Sequence, residues 1–89
     1  MNYEEIIDKL YKTYQAKNTA YGDSFNISLD EEGLAAARIR LGDKYRRFAT
    51  LSKNPDIPAG DESIQDTLMD MANYAIMTVM WMTQGVAKR

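Results

Sequence analysis

Residues 62–84 read Glu62-Ser63-Ile64-Gln65-Asp66-Thr67-Leu68-Met69-Asp70-Met71-Ala72-Asn73-Tyr74-Ala75-Ile76-Met77-Thr78-Val79-Met80-Trp81-Met82-Thr83-Gln84. Ser63 followed by Asp66 has the form of a capping box, so a helix opens at Glu62 or Ser63. It runs to Gln84, with Gly85 placed as its C-cap. From Met69 to Met82 apolar side chains surround that helix almost completely. A helix apolar on every side must be covered on every side.

Working back along the chain, Ser52 to Gly60 holds Asn54-Pro55 and Ile57-Pro58-Ala59-Gly60, which cannot continue a helix. A second turn-rich segment, Asn18 to Ser28, contains Gly22, Asp23, Ser24 and Asn26. Between them the spacing of Leu34, Ala37, Leu41, Tyr45, Phe48 and Leu51 predicts a second helix over Leu29–Leu51. Ser28 with Glu31 supplies its capping-box pattern. Gly42, in its middle, marks either close approach of a neighbour or a tolerated glycine. Tyr3, Ile6, Ile7, Leu10 and Tyr14 predict a first helix over Tyr3–Lys17. The fold class is therefore all-α: a three-helix chain in one domain, residues 1–89.

At the α-helical rise the second and third helices are each about 35 Å long and the first only about 22 Å. One short helix and one amphipathic helix cannot wrap the third, so an oligomeric helical bundle is expected. Met69, Met71, Met77, Met80 and Met82 suit an adaptable seam between subunits. A chain of 89 residues, without cysteine, has no disulfide to supplement a small core.

There is also no histidine, which excludes thiolate and imidazole metal sites and the commonest general base. Any bound metal needs oxygen ligands, as magnesium does. The opening Met1-Asn2-Tyr3-Glu4-Glu5 is polar and acidic, and no apolar run is long enough to span a bilayer. The expected setting is the cytoplasm, with no membrane partner.

The net charge is −2, yet cations concentrate in one segment: Arg38, Arg40, Lys44, Arg46, Arg47 and Lys53 against Asp43 alone. That pattern suggests a local anionic ligand, whereas a binder of duplex nucleic acid is more often basic overall. Arg40, Asp43, Lys44 and Arg47 fall on one helical face, where guanidinium forks and an ammonium suit phosphate oxygens. A solvated basic face, with Asp43 paired to Arg40 or Arg47, is the alternative. On the third helix Glu62, Asp66, Asp70 and then Asn73 or Tyr74 form a polar stripe. Asp70 stands among apolar neighbours, and a buried carboxylate needs a partner, most simply the cations of the second helix. In the first loop Tyr21 and Phe25 are placed to sandwich a base or to plug the bundle end. Ser24 and the loop amides are placed to meet a sugar or phosphate.

With those segments assembled, the sequence resembles the nucleotide modification associated domains of phages and prophages. The matching residues are Lys17, Tyr21-Gly22-Asp23-Ser24, Asp43-Lys44, Arg47, Leu51 and the string Glu62 to Tyr74. The family is itself similar to the all-α nucleoside triphosphate pyrophosphohydrolases. That relation implies helical oligomers and magnesium held by carboxylates on two adjacent helices. It also implies a nucleotide site between the second and third helices. The sequence departs from the hydrolytic pattern: Asp43 is the one acid amid cations on helix two, and helix three offers Asp66 and Asp70 four apart.

The leading expectation is a phosphorylated nucleotide, or a signal derived from one, bound at a subunit interface. Tyr21, Arg40, Asp43, Lys44, Arg47, Asp66, Asp70 and Tyr74 would line the site, with no cofactor. In a phage setting such retention amounts to sequestering a host defence signal. The rival is a magnesium-dependent pyrophosphohydrolase with Asp43, Glu62, Asp66 and Asp70 as ligands. The third possibility is a structural or protein-interaction module.

Overall fold

In the computed structural model, which describes residues 1–84, the chain forms α1 (Tyr3–Tyr21), α2 (Ser24–Glu32), α3 (Leu34–Lys53) and α4 (Ile64–Thr83). It is all-helical among the described residues, but with four helices where the sequence pattern predicted three. Gly85, read above as a C-cap, lies outside them.

The ends of α4 are as its sequence implies. Ser63 Oγ accepts the Asp66 N–H at 3.0 Å, and the Asp66 carboxylate accepts back from Ser63 N–H. α1 opens the same way, with Asn2 and Glu5 as the reciprocal pair. It does not stop at Lys17 but adds another turn to Tyr21, where Gly22 (φ 61°) donates to Asn18 O. Asp23 follows at φ 62°, also left-handed, a conformation that Asp tolerates better than most residues. Two consecutive left-handed residues turn the chain, and α2 begins at once.

α2 corrects the reading of residues 18–33. Ser28 and Glu31 are not a helix start; both lie inside α2. Polar, turn-prone residues hid the pattern Phe25–Leu29, spaced by four, which buries both side chains in the core. The long second helix is broken at Gly33, whose backbone (φ 66°, ψ −153°) is a glycine conformation. Beyond it α3 runs unbroken, and the atoms nearest the open side of Gly42 belong to the Arg46 side chain of the same helix.

α3 and α4 run antiparallel: Arg47, Lys44 and Arg40 of α3 meet Glu62, Asp70 and Tyr74 in turn. α1 crosses the same part of α4, through Lys17 to Asp70 and through Asn73 Nδ2, which donates to Leu10 O. Phe25, Leu29 and Ala37 form the core, with Ala36, Tyr74, Met77 and Trp81 packed against them. Trp81 Nε1 donates to Asp30, tying α2 to the far end of α4. Of the predicted helical stripes, Leu10, Ala37 and Leu51 are buried, while Tyr3, Leu34 and Tyr45 are exposed. The second face of α4, with Leu68, Ile76, Val79 and Met82, is uncovered within one chain. Among the described residues no helix is long and apolar enough to cross a membrane.

Candidate functional site

Extending α1 by one turn builds the site. Tyr14, Lys17, Asn18 and Tyr21 now recur at three and four on one helical face, and that face forms one wall of a cavity of about 420 Å³. Asp23, Ser24 and Phe25 at the start of α2 form its end. Arg40 and Lys44 enter from α3, and Asp70, Asn73, Tyr74 and Met77 from α4, again at helical spacing; Glu62 reaches in from the loop before α4. The volume lies within the range of small-molecule sites.

One ionic lattice joins three of these elements. Asp70 Oδ1 accepts Lys17 Nζ at 2.8 Å, and its Oδ2 accepts Lys44 Nζ at 3.0 Å. Lys44 Nζ also donates to Glu62 Oε1 at 3.0 Å, and Thr67 Oγ1, fully buried, donates to Glu62 Oε2 at 2.7 Å. The expectation that Asp70 needs cationic partners is met, with one of them from α1 rather than from α3. Burial pushes the Asp70 carboxyl up, but the ammoniums of Lys17 and Lys44 together overcome it and hold the group below its ordinary value. The Thr67 hydroxyl, opposed by burial and helped by Lys44, lowers Glu62 as well. Lys44 is pushed down by its own burial and raised on balance by its two carboxylates.

Arg40 is held differently. Its Cζ lies 5.3 Å from the centroid of the Tyr74 ring and 5.9 Å from that of Phe25. Those rings meet edge to face at 4.9 Å. Among the described residues its guanidinium makes one hydrogen bond, from Nη1 to the Tyr74 hydroxyl at 3.1 Å. The remaining N–H donors of the fork are unspent. The first turn of α2, nearby through Phe25, has no side-chain cap on its N–H groups.

Three of the predicted site residues stand elsewhere. Asp43 is exposed and pairs with Arg46 at 2.8 Å, not with Arg40 or Arg47. Asp66 is used in the cap of α4 and lines not the cavity but a second groove with Lys9 and Thr13 of α1, which Lys17, Glu62 and Asp70 also border. Arg47 fastens the loop, its Nη2 donating to the carbonyls of Ala59 and Glu62 while its buried Nε faces Glu62 Oε2 at 3.1 Å. The pair is off the angle for a hydrogen bond, so the Nε contact is ionic. Tyr21, Arg40, Lys44, Asp70 and Tyr74 do come together at the cavity, with Tyr21 at its exposed rim. Tyr14, Lys17, Asn18 and Asn73 also line it without having been assigned to the ligand; for the first three the helical spacing from Tyr14 to Tyr21 was the available signal, and for Asn73 its place in the polar stripe.

The carboxylates of the magnesium reading do not gather. No group of three or more acids within reach of one metal ion occurs among the described residues. Of the four, Glu62 and Asp70 share one cation, Lys44, and their four oxygens are engaged by Lys17, Lys44 and Thr67. A divalent cation there would have to displace an ammonium, so these donors do not fit one as they stand.

With this geometry in view, the comparison with known families is decisive. Residues 17–82 match the model of nucleotide modification associated domain 1. The chain belongs to that family. No curated protein and no solved structure matches the chain. The family match begins at Lys17 and therefore includes every residue that lines the cavity except Tyr14. In this nucleotide modification associated domain, the shared stretch and the site coincide.

Proposed function

We propose that the protein binds a phosphorylated nucleotide in the cavity among its four helices and retains it intact. The observation that carries this reading is Arg40, a guanidinium seated against two aromatic rings on the cavity wall with most of its N–H donors free. A planar fork with spare donors is suited to phosphate oxygens, and the uncapped N–H groups of α2 add to the same seat. Tyr21, with Tyr14 two turns behind it on the same face, offers a stacking surface for the base. Asn18, Asn73 and Ser24 supply polar contacts to base edge or sugar. Lys17, Lys44, Glu62 and Asp70 hold the wall in shape. Arg47 keeps the loop that carries Glu62 in place rather than touching ligand, and every residue named for the seat comes from one chain.

A second copy of the chain completes the fold on this reading. Positions 68, 72, 75, 79 and 82 on the uncovered face of α4 alternate by four and three, the spacing of a helix–helix seam. Asp70 is the one charged residue between Thr67 and Gln84, and it faces Lys17 and Lys44, so a two-fold mate meets no charge. Sedimentation at several concentrations is expected to show an oligomer that Val79→Asp dissociates. A monomer throughout contradicts it.

The binding test is incubation with a nucleotide panel, with and without magnesium, followed by thermal shift and chromatography of the recovered ligand. Stabilisation by an intact nucleotide supports the proposal. Turnover that Asp70→Asn abolishes supports hydrolysis instead. No stabilisation by any nucleotide leaves a structural module.

A further inference from the structure

We infer that the ligand of this cavity carries a single phosphate group and is taken up without a divalent cation, Lys44 standing where that cation would sit. The inference rests on the nucleotide reading above. A triphosphate is ordinarily handled with magnesium, which shares one or two protein carboxylates with the phosphate oxygens. Here the two carboxylates that converge are Glu62 and Asp70. Lys44 Nζ lies between them, 3.0 Å from an oxygen of each. The outer oxygens are also occupied, by Thr67 Oγ1 at 2.7 Å and Lys17 Nζ at 2.8 Å. Neither Glu62 nor Asp70 keeps an oxygen without a partner to bridge a metal to a polyphosphate, and Asp23, the third acid of the lining, accepts the Asn26 amide on both of its oxygens.

Charge decides the rest. The cavity cations Lys17, Arg40 and Lys44 are matched by Asp23, Glu62 and Asp70, so the lining is formally neutral. Both lysines are already paired with carboxylates; among the described residues Arg40 is the cavity cation with no carboxylate partner, and most of its fork is unspent. One phosphate, bearing about two negative charges at neutral pH, is within reach of one guanidinium fork. The further charges of a triphosphate would face Glu62 and Asp70 with no cation released to meet them. A nucleoside monophosphate is the matching class.

Calorimetric titration of the full chain with the mono- and triphosphates of four bases, in magnesium and in chelator, tests this. At least one monophosphate is expected to bind about tenfold or more tighter than its own triphosphate, equally well in chelator. A triphosphate that binds tighter, or binding that chelator abolishes, overturns the inference while leaving nucleotide binding intact. If no nucleotide binds, the underlying reading fails instead. A titration with Mn²⁺ alone gives an independent readout: the wild type is expected to bind none, and folded Lys44→Ala to gain a site that Asp70→Asn then removes. Mn²⁺ binding by the wild type that Asp70→Asn removes contradicts the role of Lys44. So does folded Lys44→Ala that takes up no metal.

Discussion

Lys44 Nζ lies 3.0 Å from Asp70 Oδ2, and through that pair the basic helix α3 meets the apolar helix α4 at the wall of the cavity. Both side chains are largely withdrawn from water, at 19% and 12% exposure. A charge in such a place is tolerable only when its partner is present. The second partner of Asp70, Lys17, is half exposed and adds less, since exposed ion pairs are screened.

Asp70→Asn therefore leaves Lys44 without one of its two carboxylates and is expected to lower unfolding stability by about 2–3 kcal/mol. Lys17→Ala is expected to cost less than about 1 kcal/mol. Urea unfolding of both variants checks the ranking. Equal losses would mean that burial is not what gives the Lys44 arm its weight.

Stability should also depend on acid in a definite direction. Glu62 and Asp70 are held below their ordinary values of 4.5 and 3.8. Groups lowered by folding stabilise the native state fully above those values, and the contribution drains away as pH falls through the lower folded ones. The unfolding midpoint should thus be nearly level from neutral pH to about 5 and then decline, more gently in Asp70→Asn. Lys44, raised above 10.5, gives the opposite limb: its contribution is complete below that value and is lost only as pH climbs past it.

Arg40 separates ligand binding from folding. Arg40→Ala is expected to weaken nucleotide binding by about ten- to a hundredfold, because it removes a charge-assisted fork. Arg40→Lys should restore little, since an ammonium has no planar face to set over the rings of Phe25 and Tyr74 and no two parallel donors. Calorimetry, with circular dichroism as the control for fold, measures both.

At Gly33 the backbone itself makes the prediction. A Cβ would meet no neighbouring atom within 4 Å, so space is not the obstacle. The conformation is: φ 66° with ψ −153° lies outside what L residues adopt readily. Gly33→Ala should lower stability by about 1–3 kcal/mol, read from thermal unfolding, by forcing apart the junction of α2 and α3.

The helical class, the cap at Ser63–Asp66 and the partnership of Asp70 with a cation of the second predicted helix were all legible in the sequence, because each follows from local spacing or from the cost of a buried charge. Helix number was not. Asn18, Ser24, Asn26 and Ser28 look like punctuation, and only the tertiary burial of Phe25 and Leu29 makes that stretch helical. Ending α1 at Lys17 also hid the face Tyr14-Lys17-Asn18-Tyr21, and with it one wall of the cavity. Asp43 and Arg47 share a helical face with Arg40 and Lys44 on a wheel, but a wheel does not say which neighbour a long side chain will reach. Arg46 took the one, and the carbonyls of Ala59 and Glu62 took the other.

The most direct test is a ¹H–¹⁵N NMR titration of the full chain with a nucleoside monophosphate in the presence of chelator. Amide shifts should concentrate at Lys17 to Phe25, around Arg40 and Lys44, and from Asp70 to Tyr74, saturating with one ligand per chain. Saturable shifts confined to the outer face of α4, or no shifts with any base, would contradict a nucleotide site in this cavity.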